Sequence, residues 1–301
     1  MIDFYIPIFN STFCAEYQIK TLRAFCKDEF NILLIDNNCG RNPAASADLR
    51  QLALKEKVGL WVNNDPQVES LQQVIDNNSD KGASDKLGWT MNLIWRSAIE
   101  RTGSEYFGIL DQDCFAYKPF SLTESLDKNG AYGKVVPTHP TKDHLVPGTI
   151  LSAWNLHVVV NFFKKEFLLG KDVNFMPGCW GEFYNKAEGN LNLDTGGMNW
   201  FGLYRDMNQE DYIIPEQHYL YYDDKTLLDP AGDSPTKTLY EILDHTWIHM
   251  VHGATYVPAE GYAQPKTSYI KGFLDHALLM NDTPGALNDG FSAEYLTSKK
   301  S

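Results

Sequence analysis

The apolar residues of the first third fall into short runs, each closed by polar or turn-forming residues. Phe4-Tyr5-Ile6-Pro7-Ile8-Phe9 is closed by Asn10-Ser11, and Asn31-Ile32-Leu33-Leu34-Ile35 by Asp36-Asn37-Asn38-Cys39-Gly40. Gly59-Leu60-Trp61-Val62 ends at Asn63-Asn64-Asp65-Pro66, and Tyr106-Phe107-Gly108-Ile109-Leu110 at Asp111. Uninterrupted runs of this length suit strands buried on both faces. Between them the spacing turns helical. Cys14 to Cys26 carries Tyr17, Leu22 and Phe25 on one face, and Ala44 to Lys57 reads as a second helix. A third covers Leu87 to Arg101, with Trp89, Leu93, Ile94 and Ala98 inward and Gly103 as its stop. Alternating strands and helices predict an α/β fold with a mostly parallel central sheet and flanking helices.

The second half is less regular. Gly, Pro and Asn recur, as in Pro177-Gly178-Cys179-Trp180-Gly181 and Asp194-Thr195-Gly196-Gly197, and Asp229 to Pro235 reads as a surface loop. Without a repeat, a low-complexity tract or a clear linker, residues 1–301 are expected to form one domain. Its ordered half would be 1–115 and its irregular half 116–301.

Composition narrows the function. The chain is 43% hydrophobic and 22% charged, an ordinary globular balance, with a net charge of −13. That charge disfavours nucleic acid as a partner. It leaves room for an anionic nucleotide whose phosphates reach acidic residues through a cation. The five cysteines, Cys14, Cys26, Cys39, Cys114 and Cys179, are scattered, which fits reduced thiols in a cytoplasmic protein. No signal-peptide pattern and no membrane span are expected.

Three of these polar strand ends are candidates for chemistry: Asn10-Ser11, Asp36-Asn37-Asn38 and Asp111-Gln112-Asp113. In open parallel sheets, ligands bind at the carboxyl ends of the strands. Asp111 and Asp113 flank one residue, so an extended backbone would point both carboxylates one way. Two hard oxygen donors on one face suit Mg2+ or Mn2+. The triplet alone says little: with 24 Asp in 301 residues, about two such triplets arise by chance. A polar turn after the strand is the plain alternative.

Taken in order, these segments resemble inverting GT-A glycosyltransferases. Phe4 to Asn10 is similar to their opening strand, and Leu33-Leu34-Ile35-Asp36-Asn37-Asn38 to their second. Leu87-Gly88-Trp89-Thr90-Met91-Asn92, then Ala98, then Glu105 to Asp113, resembles their run into an L-D-x-D motif. The resemblance covers about the first 115 residues. It implies a GT-A, Rossmann-like fold, with residues 1–115 binding a nucleotide-sugar donor, UDP-linked by preference, and 116–301 a glycan or glycoconjugate acceptor. It assigns Asp36 to the base, Ile8 and Asn10 to base and ribose, Met91 and Asn92 to the same neighbourhood, and Asp111 with Gln112 to the donor; an Asn37-Asn38 turn and core packing of Met91 are the plain alternatives. Asp111 and Asp113 would hold Mn2+ or Mg2+. Trp89 departs from the small residues usual there and is expected in the core.

For the C-terminal half the resemblance points to Leu193-Asp194-Thr195-Gly196, where Asp194 would take the acceptor's proton during direct displacement. An Asx-turn is the competing reading of Asp194, and Glu182, Glu210 and Asp211 are the other carboxylates considered. His252, in His252-Gly253-Ala254-Thr255, best resembles a third metal ligand and His249 comes second. On a helix, His245, His249 and His252 would share a face. Trp180 suits either stacking on a sugar or anchoring its loop. Two alternatives to sugar transfer stand: a sugar-nucleotide pyrophosphorylase, which needs a glycine-rich phosphate loop where Asn10-Ser11-Thr12-Phe13 stands, and a non-catalytic carbohydrate-binding protein.

Overall fold

Seven consecutive buried residues, Ile2–Ile8, form β1, the innermost of the parallel strands. The computed structural model describes residues 1–38, 40–77, 83–97, 99–137, 154–179, 192–193, 195–204, 206–207, 217–221, 238–250 and 263–281. After β1 come α1 (Thr12–Phe25), β2 (Phe30–Asp36), α2 (Pro43–Glu56), β3 (Gly59–Val62), α3 (Pro66–Asn77), α4 (Ala83–Ser97) and β4 (Tyr106–Leu110). Then follow β5 (Cys114–Ala116), α5 (Thr123–Asn129), β6 (Ala131–Pro137), β7 (Trp154–Lys164) and α6 (Lys165–Leu168). The last elements are β8 (Gly178–Cys179), β9 (Asn192–Leu193), β10 (Gln217–Tyr221), β11 (Thr238–Leu243), β12 (Trp247–Met250) and α7 (Ala263–Asn281).

The chain divides into two compact units. The first comprises Met1–Asn10, Asp28–Asp111 and Leu122–Ile214, the second Ser11–Lys27, Gln112–Ser121 and Pro215–Ser301. The first is built on a six-stranded sheet of order β3-β2-β1-β4-β7-β6. Pairing is parallel from β3 through β4 and antiparallel at β7 and β6, so the expected α/β architecture with a mostly parallel sheet holds. The strand order reverses between β1 and β4, which makes that point the topological switch of the sheet. One face packs Tyr5, Ile35, Phe107, Ile109 and Phe163 with Met91, Ile94 and Trp95 of α4 and with Phe175, Trp200 and Tyr204.

Local sequence explains the helix ends. Asn42 caps α2 by accepting from Ala45 N–H at 3.1 Å, with Pro43 in the first turn. Asp65 does the same for α3, accepting from Gln67 N–H at 2.9 Å. This helix has no counterpart in the apolar pattern described above. α4 begins and ends four residues before the expected Leu87–Arg101, and a separate 3-10 turn covers Ile99–Arg101. Trp89 is half-buried rather than in the core, with its indole N–H donating to Asp65 Oδ1 at 3.2 Å.

The second unit holds an antiparallel sheet of order β10-β11-β12-β5, together with α1 and α7. Tyr17 of α1 donates to Asp275 of α7 at 2.6 Å, and Phe120 lies 4.6 Å from Trp247 between ring centroids. β11 and β12 form a hairpin whose turn places Asp244 and His245 in the left-handed region, at φ 49° and 46°. Two successive left-handed residues twist the turn in the sense of the strands. His245 and His249 therefore share no helical face: His245 is a turn residue and His249 a strand residue.

Candidate functional site

In the first unit the carboxyl ends of β1, β2 and β3 carry a network of buried polar side chains. Asp36 closes β2 and is 2% exposed. Its Oδ1 accepts from the Asn38 backbone N–H at 3.1 Å and from Asn38 Nδ2 at 2.7 Å. Its Oδ2 takes no hydrogen bond among the described residues. The carboxylate is thus oriented by one oxygen and has acceptor capacity left on the other. Asn38 Oδ1 in turn receives the N–H of Asn10 at 2.9 Å. Asn10 is exposed and sits at φ 52°, a conformation Asn tolerates better than most residues, and Asn42 Nδ2 donates to its Oδ1 at 3.0 Å. Ile8 is buried, its backbone carbonyl accepting from Asn37 N–H at 2.9 Å.

Asn37 is held from several sides. Its Oδ1 accepts from Asn63 Nδ2 at 2.9 Å and from Thr90 Oγ1 at 3.2 Å, and its carbonyl accepts from Lys86 Nζ at 2.8 Å. Lys86, Thr90 and Asn63 were absent from the candidates drawn from the chain. The available signal was the polar closure of β3 at Asn63, parallel to those of β1 and β2.

Met91 and Asn92, expected near the base, both lie in α4. Met91 is fully buried within the hydrophobic face. Asn92 accepts from Phe175 N–H at 2.9 Å and donates to Asn174 Oδ1 at 3.1 Å. It brackets α4 to the 174–176 segment, which is bonded onward through Gly196 N–H to Phe175 O at 2.7 Å.

Asp111 follows β4 in the first unit, its N–H donating to Val159 O at 3.3 Å. Gln112 and Asp113, each 2% exposed, belong to the second unit and lie in a turn ahead of β5, so the extended alternation expected for the triplet does not apply. Asp113 instead gains a partner across strands. β12 pairs with β5, Met250 N–H donates to Asp113 O at 2.9 Å, and His249 Nε2 stands 3.5 Å from Asp113 Oδ1. His249 is 8% exposed, so the carboxylate and imidazole face each other largely out of water. Among the described residues there is no group of three or more His, Cys, Asp or Glu side chains suited to a metal ion. Asp194, His252, Trp180, Glu182, Glu210 and Asp211 lie outside the described residues. Thr195, next to Asp194 in the chain, is 2% exposed, and its carbonyl accepts from Asn155 Nδ2 at 3.4 Å. Among the described residues no helix is long and apolar enough to cross a membrane.

No protein family matches the chain by sequence pattern, and no curated protein matches it. Several solved structures are similar to it. A mannosyltransferase from Pyrobaculum calidifontis, described in complex with GDP-Man and Mn2+, shares 14% identity over 56% of this chain and 45% of its own, at a TM-score of 0.33. Core-mannan synthase A from Aspergillus fumigatus, in an Mn/GDP form, shares 9% over 56% and 60%, at 0.37. The mannosyltransferase Ktr4p from S. cerevisiae shares 9% over 56% and 56%, at 0.36. The chain thus spans 45% to 60% of the length of these structures. Likeness at such scores does not carry a function, which has to rest on the residues at the carboxyl ends of the strands and on the Asp113–His249 pair.

Proposed function

We propose that the protein transfers a sugar from a nucleotide-diphosphate donor, UDP-linked by preference, to a hydroxyl of a glycan or glycoconjugate acceptor. The observation that carries this reading is Asp36: a buried carboxylate, turned by Asn38 so that one oxygen stays available, at the carboxyl end of β2, one strand away from the sheet's switch point. An oriented carboxylate oxygen accepts a ring N–H such as that of uracil. Asn10, through its left-handed backbone, stands next to it at the end of β1.

Asp113 and His249 fit a divalent cation. An oxygen and an imidazole nitrogen 3.5 Å apart, in a largely dry setting, already lie close enough to converge on one ion. Mn2+ or Mg2+ held by these two side chains would supply charge neutralisation for a departing diphosphate. Asp194 is proposed to accept the proton of the acceptor hydroxyl. The hydroxyl oxygen bonds to the anomeric carbon as the bond from that carbon to the diphosphate oxygen breaks, which inverts the centre.

Calorimetric titration of UDP with and without Mn2+ tests the proposal. Metal-enhanced binding is expected, and its absence for every nucleoside diphosphate would refute sugar-nucleotide transfer. Asp194→Asn is expected to abolish transfer while leaving nucleotide binding intact; retained transfer moves the base elsewhere.

A further inference from the structure

Lys86 lies on the first turns of α4 and is only 5% exposed, unusual for a lysine. Its Nζ donates to the Asn37 carbonyl at 2.8 Å and to Gln72 Oε1 of α3 at 2.6 Å, and it sits 4.2 Å from the centroid of the Phe9 ring. Phe9 follows β1 and Asn37 follows β2, so one ammonium group ties the carboxyl ends of two adjacent parallel strands to two helices. Asn37 is otherwise gripped through its side chain by Asn63 and Thr90 and through its N–H by Ile8. It is also the central residue of the turn in which Asn38 reaches back to Asp36. Hydrogen bonds at its amide, its carbonyl and its side chain restrain Asn37 and with it the Asp36–Asn38 turn. The direction of Asp36 Oδ2 then follows. A neutral donor would hold the same carbonyl with less desolvation. A cation there adds positive potential beside a nucleotide site in a chain of net charge −13.

We propose that Lys86 is a positioning residue for nucleobase selection: by pinning Asn37 it fixes the Asp36–Asn38 turn so that the available oxygen of Asp36 meets a ring N–H. Bases carrying that donor, uracil and guanine, are favoured over cytosine and adenine, whose corresponding ring nitrogen is an acceptor. The inference rests on the donor-binding role given to Asp36 above.

The test compares wild type with Lys86→Met, which keeps an unbranched apolar stem and removes the ammonium. Thr90→Val, which keeps shape but removes a hydroxyl shared between Asn37 Oδ1 at 3.2 Å and the Lys86 carbonyl at 2.9 Å, serves as the second variant. Each protein is titrated in the presence of Mn2+ with UDP, GDP, CDP, ADP and inorganic pyrophosphate, and its thermal unfolding is recorded. Wild type is expected to prefer the better of UDP and GDP over CDP and ADP by about tenfold to a hundredfold, the worth of one hydrogen bond to a charged group. Lys86→Met is expected to bring that ratio to within about threefold of unity while pyrophosphate affinity stays within about threefold of wild type. Thr90→Val should shift the ratio the same way by less, and if Lys86→Met does not fold, Thr90→Val decides alone. A wild-type ratio in the folded variants overturns the proposal. So does a parallel loss of nucleotide and pyrophosphate binding at unchanged ratio, which marks a purely structural role. Nucleotide binding by wild type without base preference overturns this inference alone, whereas no metal-dependent nucleotide binding at all overturns the proposed function with it.

Discussion

Gly88→Ala sets two effects of opposite sign against each other. Gly88 is inside α4, where Ala favours the helix by about 1 kcal/mol. A Cβ at Gly88 would stand 2.6 Å from Phe175 O, 3.0 Å from Met176 Cα and 3.2 Å from Phe175 C. All three atoms are backbone, so no side-chain rotamer relieves the contact. That backbone is also anchored: Phe175 N–H donates to Asn92 and Phe175 O accepts from Gly196 N–H at 2.7 Å. Overpacking of this kind costs roughly 1–3 kcal/mol, and loosening the hydrogen bond at Phe175 O adds about 1 kcal/mol. The steric cost wins, leaving a net loss of about 1–3 kcal/mol, which lowers Tm by roughly 2–12 °C. Thermal unfolding followed by circular dichroism measures it. A Tm equal to or above that of wild type would show that helix propensity dominates and that α4 does not approach the 175–176 segment this closely.

Asp36→Asn keeps the shape of the oriented side chain but removes its charge, and is expected to weaken UDP binding by about tenfold to a hundredfold; unchanged affinity in calorimetry removes Asp36 from the site. His249→Ala is expected to weaken Mn2+ binding by at least about tenfold, since even residues outside the ligand shell matter that much, and an imidazole donor predicts Mn2+ binding more tightly than Mg2+. Equal affinity of the variant for Mn2+, measured by electron paramagnetic resonance, contradicts the pair. Burial acts to raise the pKa of Asp275, but the hydrogen bonds from Lys271 and Tyr17 and the charge of Lys271 outweigh it and hold the carboxyl below its usual range. A depressed folded pKa stabilises above the unfolded value of about 3.9 and is lost as pH falls through the folded one. Asp275→Asn should therefore cost, at pH 7, no more than the ~0–1 kcal/mol of an exposed pair, and its difference from wild type should shrink below about pH 4; a difference that grows toward acid refutes the sign. Asn161 of β7 is fully buried, and neither Oδ1 nor Nδ2 is hydrogen-bonded among the described residues, so Asn161→Leu should raise stability by about 1–2 kcal/mol in denaturant titration. A loss of that size would mean that the amide is satisfied.

The parallel half of the fold was legible because its strands are buried on both faces, which writes a continuous apolar run for each of β1, β2 and β4. Their carboxyl ends were legible for the complementary reason: a polar residue closing such a run needs partners, and Asn38 donates to Asp36 while its own oxygen receives the Asn10 N–H. α3 was not legible, since its start depends on Asp65 acting as a cap in a stretch that reads equally as a turn. Lys86 and Thr90 were hidden because helical periodicity counts them as polar positions, while their partners Asn37 and Asn63 come from strands far away in the chain. No local pattern records a contact of that kind.

The histidine cluster shows how the same limit acts on chemistry. Spacing of 245, 249 and 252 suggests one helical face, yet Asp244 and His245 take left-handed turn conformations and the chain returns as β12. Strand pairing then decides where His249 lies. β12 runs antiparallel to β5, with His249 opposite Cys114, and so His249 comes up beside the residue before Cys114, which is Asp113. A D-x-D triplet is expected by chance in a chain with 24 Asp. A D-x-D carboxylate that is 2% exposed and faced at 3.5 Å by an imidazole from a paired strand is a far narrower coincidence. The weight of the metal assignment therefore moves from the triplet to the pair. Asp113→Asn and His249→Ala should accordingly lose Mn2+ together, with the double variant no worse than the weaker single, whereas additive losses would mean that the two side chains do not share an ion.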